Sequence, residues 1–479
     1  LGPAPEIDNL FIAAGLNSIG IQSAGGIGQV LAAWMRDGVP PFDLNSVDIR
    51  RNMTFQGNSA YLKDRVTETL GLLYEVHWPF YQYKTSRGVR RLPLHEKHAI
   101  AGACFGELAG WERPNWYAPE GESPTYKYTF KRQNWFKFSA FEHVSVREDV
   151  GLIDMSSFAK IRFQGADAEV VLNRICSGNV AVESGRTVYT QWLNTRGGIE
   201  SDLTVTRLAH DDYMIITSAG SQIRDMHWLR TNIPPDARCI ATDVTSGYAV
   251  IAIMGPRSRD VLKNYTSADL SNEAFPFGTS RQIELGYASV QASRISYVGE
   301  LGWELCIPSE MAAHVYEVLN EKPLVHVGMH AVNSLRIEKA YRHWGHDISD
   351  EENPLEAGLA FAIDWEKSGG FIGKDALMEK RELTPCKRLL QFKLSDPEPL
   401  LYHNEPIYRQ GQVVGYITSG MYGHHLGSSI GLGYVHDPAG VDSDYVKGSD
   451  FEVLVAGQMV EAMASLKPLY DPNSERVKA

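Results

Sequence analysis

Three stretches carry side chains whose type and spacing could do chemistry. The first is TVYTQWLNTRGGIESDLTV, residues 187–205. Gly197-Gly198 supplies a tight turn, and Asp202 opens the strand that follows. Side chains alternate along a strand, so Leu203 and Val205 share one face while Asp202, Thr204 and Thr206 share the other. With the apolar pair in a core, the Asp202 carboxylate points to the opposite, polar face. A solvated acid at a strand start is the plainer alternative.

The second stretch is ISYVGELGWELCIP, residues 295–308. Two β-type segments flank Gly299-Glu300-Leu301-Gly302, which reads as a hairpin. A four-residue loop sets Val298 opposite Trp303 and Tyr297 opposite Glu304, as cross-strand neighbours on one face. An aromatic beside a carboxylate suits a flat heterocycle with N–H donors: the ring stacks and the carboxylate accepts. An ordinary Tyr–Glu surface pair is the alternative.

The third stretch, SLRIEKAYRHWGHDISDEENPLEAGLAF (334–361), brings His343, His346 and Asp347 close enough in sequence to suggest a metal. The spacing is not HExxH and no second cluster closes a site, so packing or supporting roles are expected and no metal. A weaker signal is GLNSIGIQSAGGIG, from Gly15 to Gly28. A glycine-rich loop entering a helix N-terminus can hold phosphate on backbone N–H groups, although such turns are often only turns. No GxGxxG follows a strand anywhere in the 479 residues, so a complete dinucleotide-binding half is not expected.

The elements that must position these residues can be sketched. A chain of 479 residues suggests two to four domains, and 43% hydrophobic with 22% charged residues is ordinary for a soluble globular protein. A net charge of −12 argues against nucleic acid and against a polybasic membrane anchor. No apolar run approaches a membrane span. The five cysteines have no CxxC spacing, so buried free thiols of a reducing compartment are expected.

Residues 1–41 read as strand, glycine loop and helix, with Gly38 as C-cap. Residues 42–98 read as an irregular connecting subdomain. Residues 111–125, WERPNWYAPEGESPT, read as a surface loop packed by its aromatics. Strand and helix patterns alternate from about residue 140 to 385, with Met329, Val332 and Leu335 at helical spacing. Residues 386–470 read as a small all-β unit. The opening, LGPAPEIDNLF, reads like the middle of a domain, so a piece of a longer chain is expected.

Together VYTQWLNTRGGIESDLTVTRLA, SNEAFPF, YVGELGWELCIP, SLRIEKAYRHWGHD, NPLEAGLAF and LKPLYDPNSERVK resemble the sarcosine and dimethylglycine dehydrogenase family, the sarcosine branch first. The block GWERPNW resembles the same group, and the likeness runs almost end to end.

The resemblance implies an α+β multidomain fold with four parts. These are the C-terminal end of an FAD-dependent amine-oxidase (DAO-type) domain (1–41), its central connecting domain (42–98), a GcvT-like folate-binding aminomethyltransferase domain (99–385) and a small C-terminal β-barrel (386–475). It implies FAD contact at Gly15, Asn17, Ser18, Gly20, Gly25 and Gly26. It implies folate binding by Tyr189, Asp202, Tyr297 and Glu304, with Asp202 as the catalytic residue facing the reactive nitrogens of tetrahydrofolate. One departure is that Val332 stands where glycine-cleavage T-proteins carry a basic residue, with Arg336 as a substitute candidate for the folate tail.

The implied activity is oxidative N-demethylation of sarcosine to glycine, with the one-carbon unit passed on as 5,10-methylenetetrahydrofolate. An electron acceptor such as electron-transfer flavoprotein and a mitochondrial matrix location also follow from the resemblance. With most of the flavin domain outside these residues, this chain alone is expected to be redox-incompetent. A dimethylglycine dehydrogenase, a standalone aminomethyltransferase and a non-catalytic regulator of the pyruvate dehydrogenase phosphatase type are the alternatives. Retention of Asp202, Tyr297 and Glu304 argues against the last.

Overall fold

The computed structural model describes residues 1–447 and 450–479. After a two-strand ribbon, helix α1 spans Gly20–Asp37. Gly38 ends it as expected, in a left-handed conformation (φ 74°) with its N–H on the Trp34 carbonyl. The helix starts earlier than the sequence suggests, so Gly25 and Gly26 lie within it rather than in the preceding loop.

The segment expected to be irregular contains a second helix, α2 (Ser59–Leu72). It has almost no apolar stripe to advertise it: Arg65 is its one buried residue among those described. Polar ties hold it instead. Asn58 caps it on the Ala60 N–H, Arg65 pairs with Glu107 at 2.7 Å, and Glu68 accepts from the Lys84 and Thr85 amides.

Residues 111–117 also depart from expectation. Instead of a surface loop, β1 (Ala103–Leu108) and β2 (Trp111–Tyr117) form a hairpin, with β2 central in a three-stranded sheet. Pro114 is tolerated because the register slips beside it, between Cys104 and Phe105. Trp116 is fully buried and stacks on Phe138 at the start of helix α3 (Phe136–Glu148).

Two larger sheets follow. In the first, β3 (Thr187–Leu193) and β4 (Ile199–Ala209) lie at one edge, and Asp212–Thr217, Ala159–Gln164 and Ile240–Asp243 continue it in antiparallel fashion. The second sheet contains β5 (Ala288–Ser293) and β6 (Gly302–Pro308), flanked by Ser280–Leu285 and Tyr248–Met254. Each sheet buries one apolar face against its own helices, giving separate cores around Phe163 and Leu203 and around Trp303 and Leu305. Helix α4 (Met329–Glu338) lies between the second sheet, β2 and the C-terminal unit. That unit is a closed six-stranded barrel, as its short β-type runs foretold. All five cysteines are free, but Cys239 is only half-buried and Cys386 is exposed, so the expectation of uniformly buried thiols does not hold.

The start of α4 sits directly on β2. A Cβ at Gly328 would stand 2.3 Å from the Asn115 carbonyl oxygen and 2.5 Å from the Trp116 nitrogen. Gly328→Ala is therefore expected to cost about 1–3 kcal/mol through forced backbone shifts. A lowered urea midpoint would be the readout, and an unchanged midpoint would refute the tight contact.

Candidate functional site

Asp202 sits on β4, four residues into the strand rather than at its opening. The turn before it is tight: Asn194 accepts the Gly197 N–H on its carbonyl and the Gly198 N–H on its side chain, both at 2.9 Å, with Gly197 at φ +83°. This turn sets the register, which places Gln191 opposite Asp202 and Tyr189 opposite Thr204. Leu203 and Val205 are buried in the sheet's core, so the face expected for Asp202 is the one it occupies.

Three side chains address the Asp202 carboxylate. Gln191 Nε2 donates to Oδ1 at 2.9 Å, the Tyr189 hydroxyl also bonds to it, and the Arg342 guanidinium lies close. Burial outweighs them and pushes the Asp202 carboxyl up to about 6. Burial and the neighbouring Asp202 drive the Tyr189 phenol far above its ordinary range, so it stays a donor. The Oε1 atom of Gln191 is buried without a hydrogen-bond partner.

Tyr297 joins this group by a different route from the one expected. The hairpin across Gly299–Gly302 is not formed: Ser293 pairs with Glu304, and 294–301 is an irregular loop. Tyr297 is thus not the cross-strand partner of Glu304. Its hydroxyl donates to the Arg342 carbonyl at 3.0 Å, its ring stacks on Tyr341, and it lies near Tyr189 and Asp202. Burial pushes its phenol up to about 12.

Glu304 is on β6 and 8% exposed. Its neighbours Trp303 and Leu305 enter one core, while Cys306 enters a second, against which Tyr297 packs. Alternation therefore turns Glu304 toward the Tyr297 side. Among the described residues its carboxylate has no hydrogen-bond or ion-pair partner, and burial alone pushes it up to about 7. Beyond Asp202 on β4 and Glu304 on β6, the same strand faces line a cavity of about 380 Å³ between the two sheets, through Thr206, Leu208, Cys306 and Pro308. Asp202, Glu304, Tyr189 and Tyr297 are not themselves part of that lining.

Gln191 and Arg342 were not singled out in the sequence. Gln191 could have been found by running the Asn194–Gly198 turn's register back along β3. Arg342 had no such signal, because its guanidinium is aimed by the carbonyls of Ala340 and Ala357 at 2.7 and 2.9 Å. Arg336 does not fit the role of folate-tail cation. It is buried and fully engaged, pairing with Asp347 and donating to Ser419, Asn333 and the Tyr341 carbonyl. Val332 packs in an apolar cluster with Leu335 and Val298. Asp347 serves Arg336, Thr418 and the His343 amide.

The glycine-rich residues stand apart from this site. Gly15 and Ser18 adopt positive φ in the loop before α1, with Asn17 between them. Helix α1 has no side-chain cap and no acid in its first turn, a donor set that suits an anion such as a cofactor phosphate. Gly25 and Gly26 present backbone to open surface, where a Cβ would meet nothing within 4 Å, whereas a Cβ at Gly20 would stand 3.6 Å from that of Leu16.

Comparison with known proteins bears on these sites. Residues 94–367 match the GCVT N-terminal domain, 387–471 the glycine cleavage T-protein C-terminal barrel domain, and 37–91 the FAD dependent oxidoreductase central domain. A 4-methylaminobutanoate oxidase (formaldehyde-forming) of Paenarthrobacter nicotinovorans is 42% identical, over 100% of this chain and 58% of its own length. The mitochondrial sarcosine dehydrogenase of Homo sapiens is 36% identical, over 100% of this chain and 57% of its own length. The chain thus spans somewhat over half the length of these curated relatives. The crystal structure of the glycine cleavage system aminomethyltransferase T from Bartonella henselae superposes with a TM-score of 0.69 at 25% identity, covering 80% of this chain and 99% of the other.

Proposed function

We propose, from the premise that this chain belongs to the GCVT family, in the sarcosine/dimethylglycine dehydrogenase-like group that joins this domain to an FAD-dependent oxidoreductase central domain, that it is the folate-binding part of a flavin-dependent N-demethylating enzyme. Its substrate would be an N-methylated amino acid. Sarcosine is the first candidate, with dimethylglycine as an alternative. The 42% identity to a 4-methylaminobutanoate oxidase favours that longer amino acid as a second reading. The four-part division at residues 41, 98 and 385, a matrix location and an electron-transfer flavoprotein partner belong to the same proposal. The location draws on the relative described as a mitochondrial sarcosine dehydrogenase, and the electron acceptor on the family resemblance alone.

The observation that carries this reading is the unpartnered Glu304 carboxyl. A buried carboxylate without a donor is costly, and a reduced pterin brings the N–H donors it lacks. Tyr297 supplies a flat face, Tyr189 and Gln191 hold Asp202, and Asp202 can take or return a proton near neutrality because burial has lifted it to about 6. Bound flavin would accept the hydride from the N-methyl carbon. The residues proposed for its contact are Gly15, Asn17, Ser18, Gly20, Gly25 and Gly26.

Calorimetric titration of the purified chain with tetrahydrofolate tests the reading. Binding is expected, and Glu304→Gln should weaken it roughly 10–100-fold, since hydrogen bonds to a charged group contribute about 1.5–3 kcal/mol. Absence of binding by the wild-type chain would overturn the folate assignment. A flavin absorbance spectrum of the same preparation would overturn the expectation that this chain alone is redox-incompetent.

A further inference from the structure

The short 3-10 turn Ala360–Ala362 presents one large side chain outward. Phe361 is 75% exposed, whereas Leu359, Ala362 and Ile363 on either side of it are buried. Leu359 and Ile363 enter a core with Leu193 and Trp344, and Tyr189 packs against the same core. The turn is closed against the chain beside β3. The Asp364 N–H donates to the Ser177 carbonyl at 3.1 Å, and a Cβ at Gly178 would stand 2.8 Å from the Ala362 carbonyl oxygen. A single exposed phenylalanine is common on any protein surface. This one is fixed by its neighbours, and its ring has a partner. It stacks on Tyr189, with centroids 6.2 Å apart and planes 26° from parallel.

Tyr189 in turn bonds to the Asp202 carboxylate through its hydroxyl. Contacts therefore run without a break from Asp202, through Tyr189, to open surface at Phe361. The order matters for a folate. In tetrahydrofolate the nitrogens that carry the one-carbon unit lie between the pterin and the p-aminobenzoyl ring, and the second of them is bonded directly to that ring. A ligand whose pterin meets Tyr297 and Glu304, and whose reactive nitrogens face Asp202, must set its aryl ring beside Asp202. Tyr189 and Phe361 are the aromatic surface found there.

We propose that Phe361, with Tyr189, forms the subsite for the p-aminobenzoyl ring of a bound folate. The inference rests on the reading given under Proposed function. A flat aryl ring gains from stacking on rings that are already held in place, because little side-chain freedom is lost when it binds.

The test titrates tetrahydrofolate, tetrahydropteroate and 6-methyltetrahydropterin into the wild-type chain, Phe361→Ala and Phe361→Tyr. Tetrahydropteroate keeps the aryl ring and lacks the glutamyl tail, and the pterin lacks both. Phe361→Ala should weaken tetrahydrofolate and tetrahydropteroate alike, roughly 3–10-fold, and leave the pterin unchanged, with most of the affinity restored in Phe361→Tyr. Unchanged affinity for all three ligands overturns the proposal and leaves the folate site standing. Equal weakening of all three would mean that Phe361 acts through Tyr189 on the pterin, and weakening of tetrahydrofolate alone would set it against the tail. Either result overturns the aryl subsite. If none of the three binds the wild-type chain, the folate reading itself fails and this subsite fails with it. Phe361→Ala should melt as wild type does, because the side chain it removes is exposed. A clearly lowered melting point would make Phe361 a structural cover for Tyr189 and overturn the proposal.

Discussion

Asp202→Asn should lower one-carbon transfer to tetrahydrofolate by roughly 10²–10⁴-fold, the usual contribution of a positioned acid–base group. Tetrahydrofolate affinity should change only a few-fold, because asparagine keeps the shape and an oxygen for the Gln191 donor while losing basicity. The assay compares methylenetetrahydrofolate yield with amine oxidation in the flavin-bearing enzyme. Oxidation should hold, and the one-carbon unit should then appear as free formaldehyde.

The pH profile sharpens this expectation. Burial pushes the Asp202 carboxyl up to about 6 against Gln191, Tyr189 and Arg342. Wild-type transfer should therefore fall as pH drops through about 6, with that inflection absent from the variant. The sign for stability is the reverse of a salt-bridged acid. An acid raised on folding is penalised when ionised, so Asp202 weakens the native state as pH rises from its ordinary value toward 6. Asp202→Asn should accordingly melt no lower than wild type at pH 7, which separates lost catalysis from lost folding. Transfer within twofold of wild type would remove Asp202 from the chemistry.

What could be read from the sequence was local. Period-two alternation gave Asp202 its face because Leu203 and Val205 had only one core to enter. The barrel was legible from short β-runs and turns. The Gly299–Gly302 spacing suggested a hairpin, but one local bond set and one distant one override it. The Ser296 hydroxyl faces the amides of Val298, Gly299 and Glu300 and folds 294–301 out of strand geometry. Glu300 is then held by Arg147, Tyr470 and Arg476. Helix α2 was missed because charged ties rather than an apolar stripe anchor it. Residues 111–117 read as loop because their Trp and Pro residues signal a turn, whereas they pair as a strand with 103–108.

Arg147→Met should be the most destabilising single change in the folate domain, at about 3–5 kcal/mol. Arg147 is 2% exposed and ties four parts of the chain together. It bonds Glu338 of α4 at 3.0 Å, Glu300 at 3.1 Å and the Val298 carbonyl at 2.6 Å, and it lies over the Tyr470 ring at 3.9 Å. Removing it takes one shared cation from two buried carboxylates, leaving Glu300 to Arg476 and Tyr470, and Glu338 to His143 and the His425 and Leu426 amides. Because Val298 and Glu300 frame the Tyr297 loop, folate affinity should fall with stability. The pH dependence distinguishes lost charge pairing from lost packing. Burial pushes Glu338 up, but His143, Arg147 and the Leu426 amide overcome it and hold the carboxyl down to about 2. Its stabilisation is therefore complete above the ordinary glutamate value and is lost as pH falls from about 4.5 toward 2. The melting-point gap between wild type and Arg147→Met should be full at pH 7 and should narrow below about 4.5, as Glu338 becomes neutral. A gap independent of pH would mean that Arg147 acts through the packing of its stem alone.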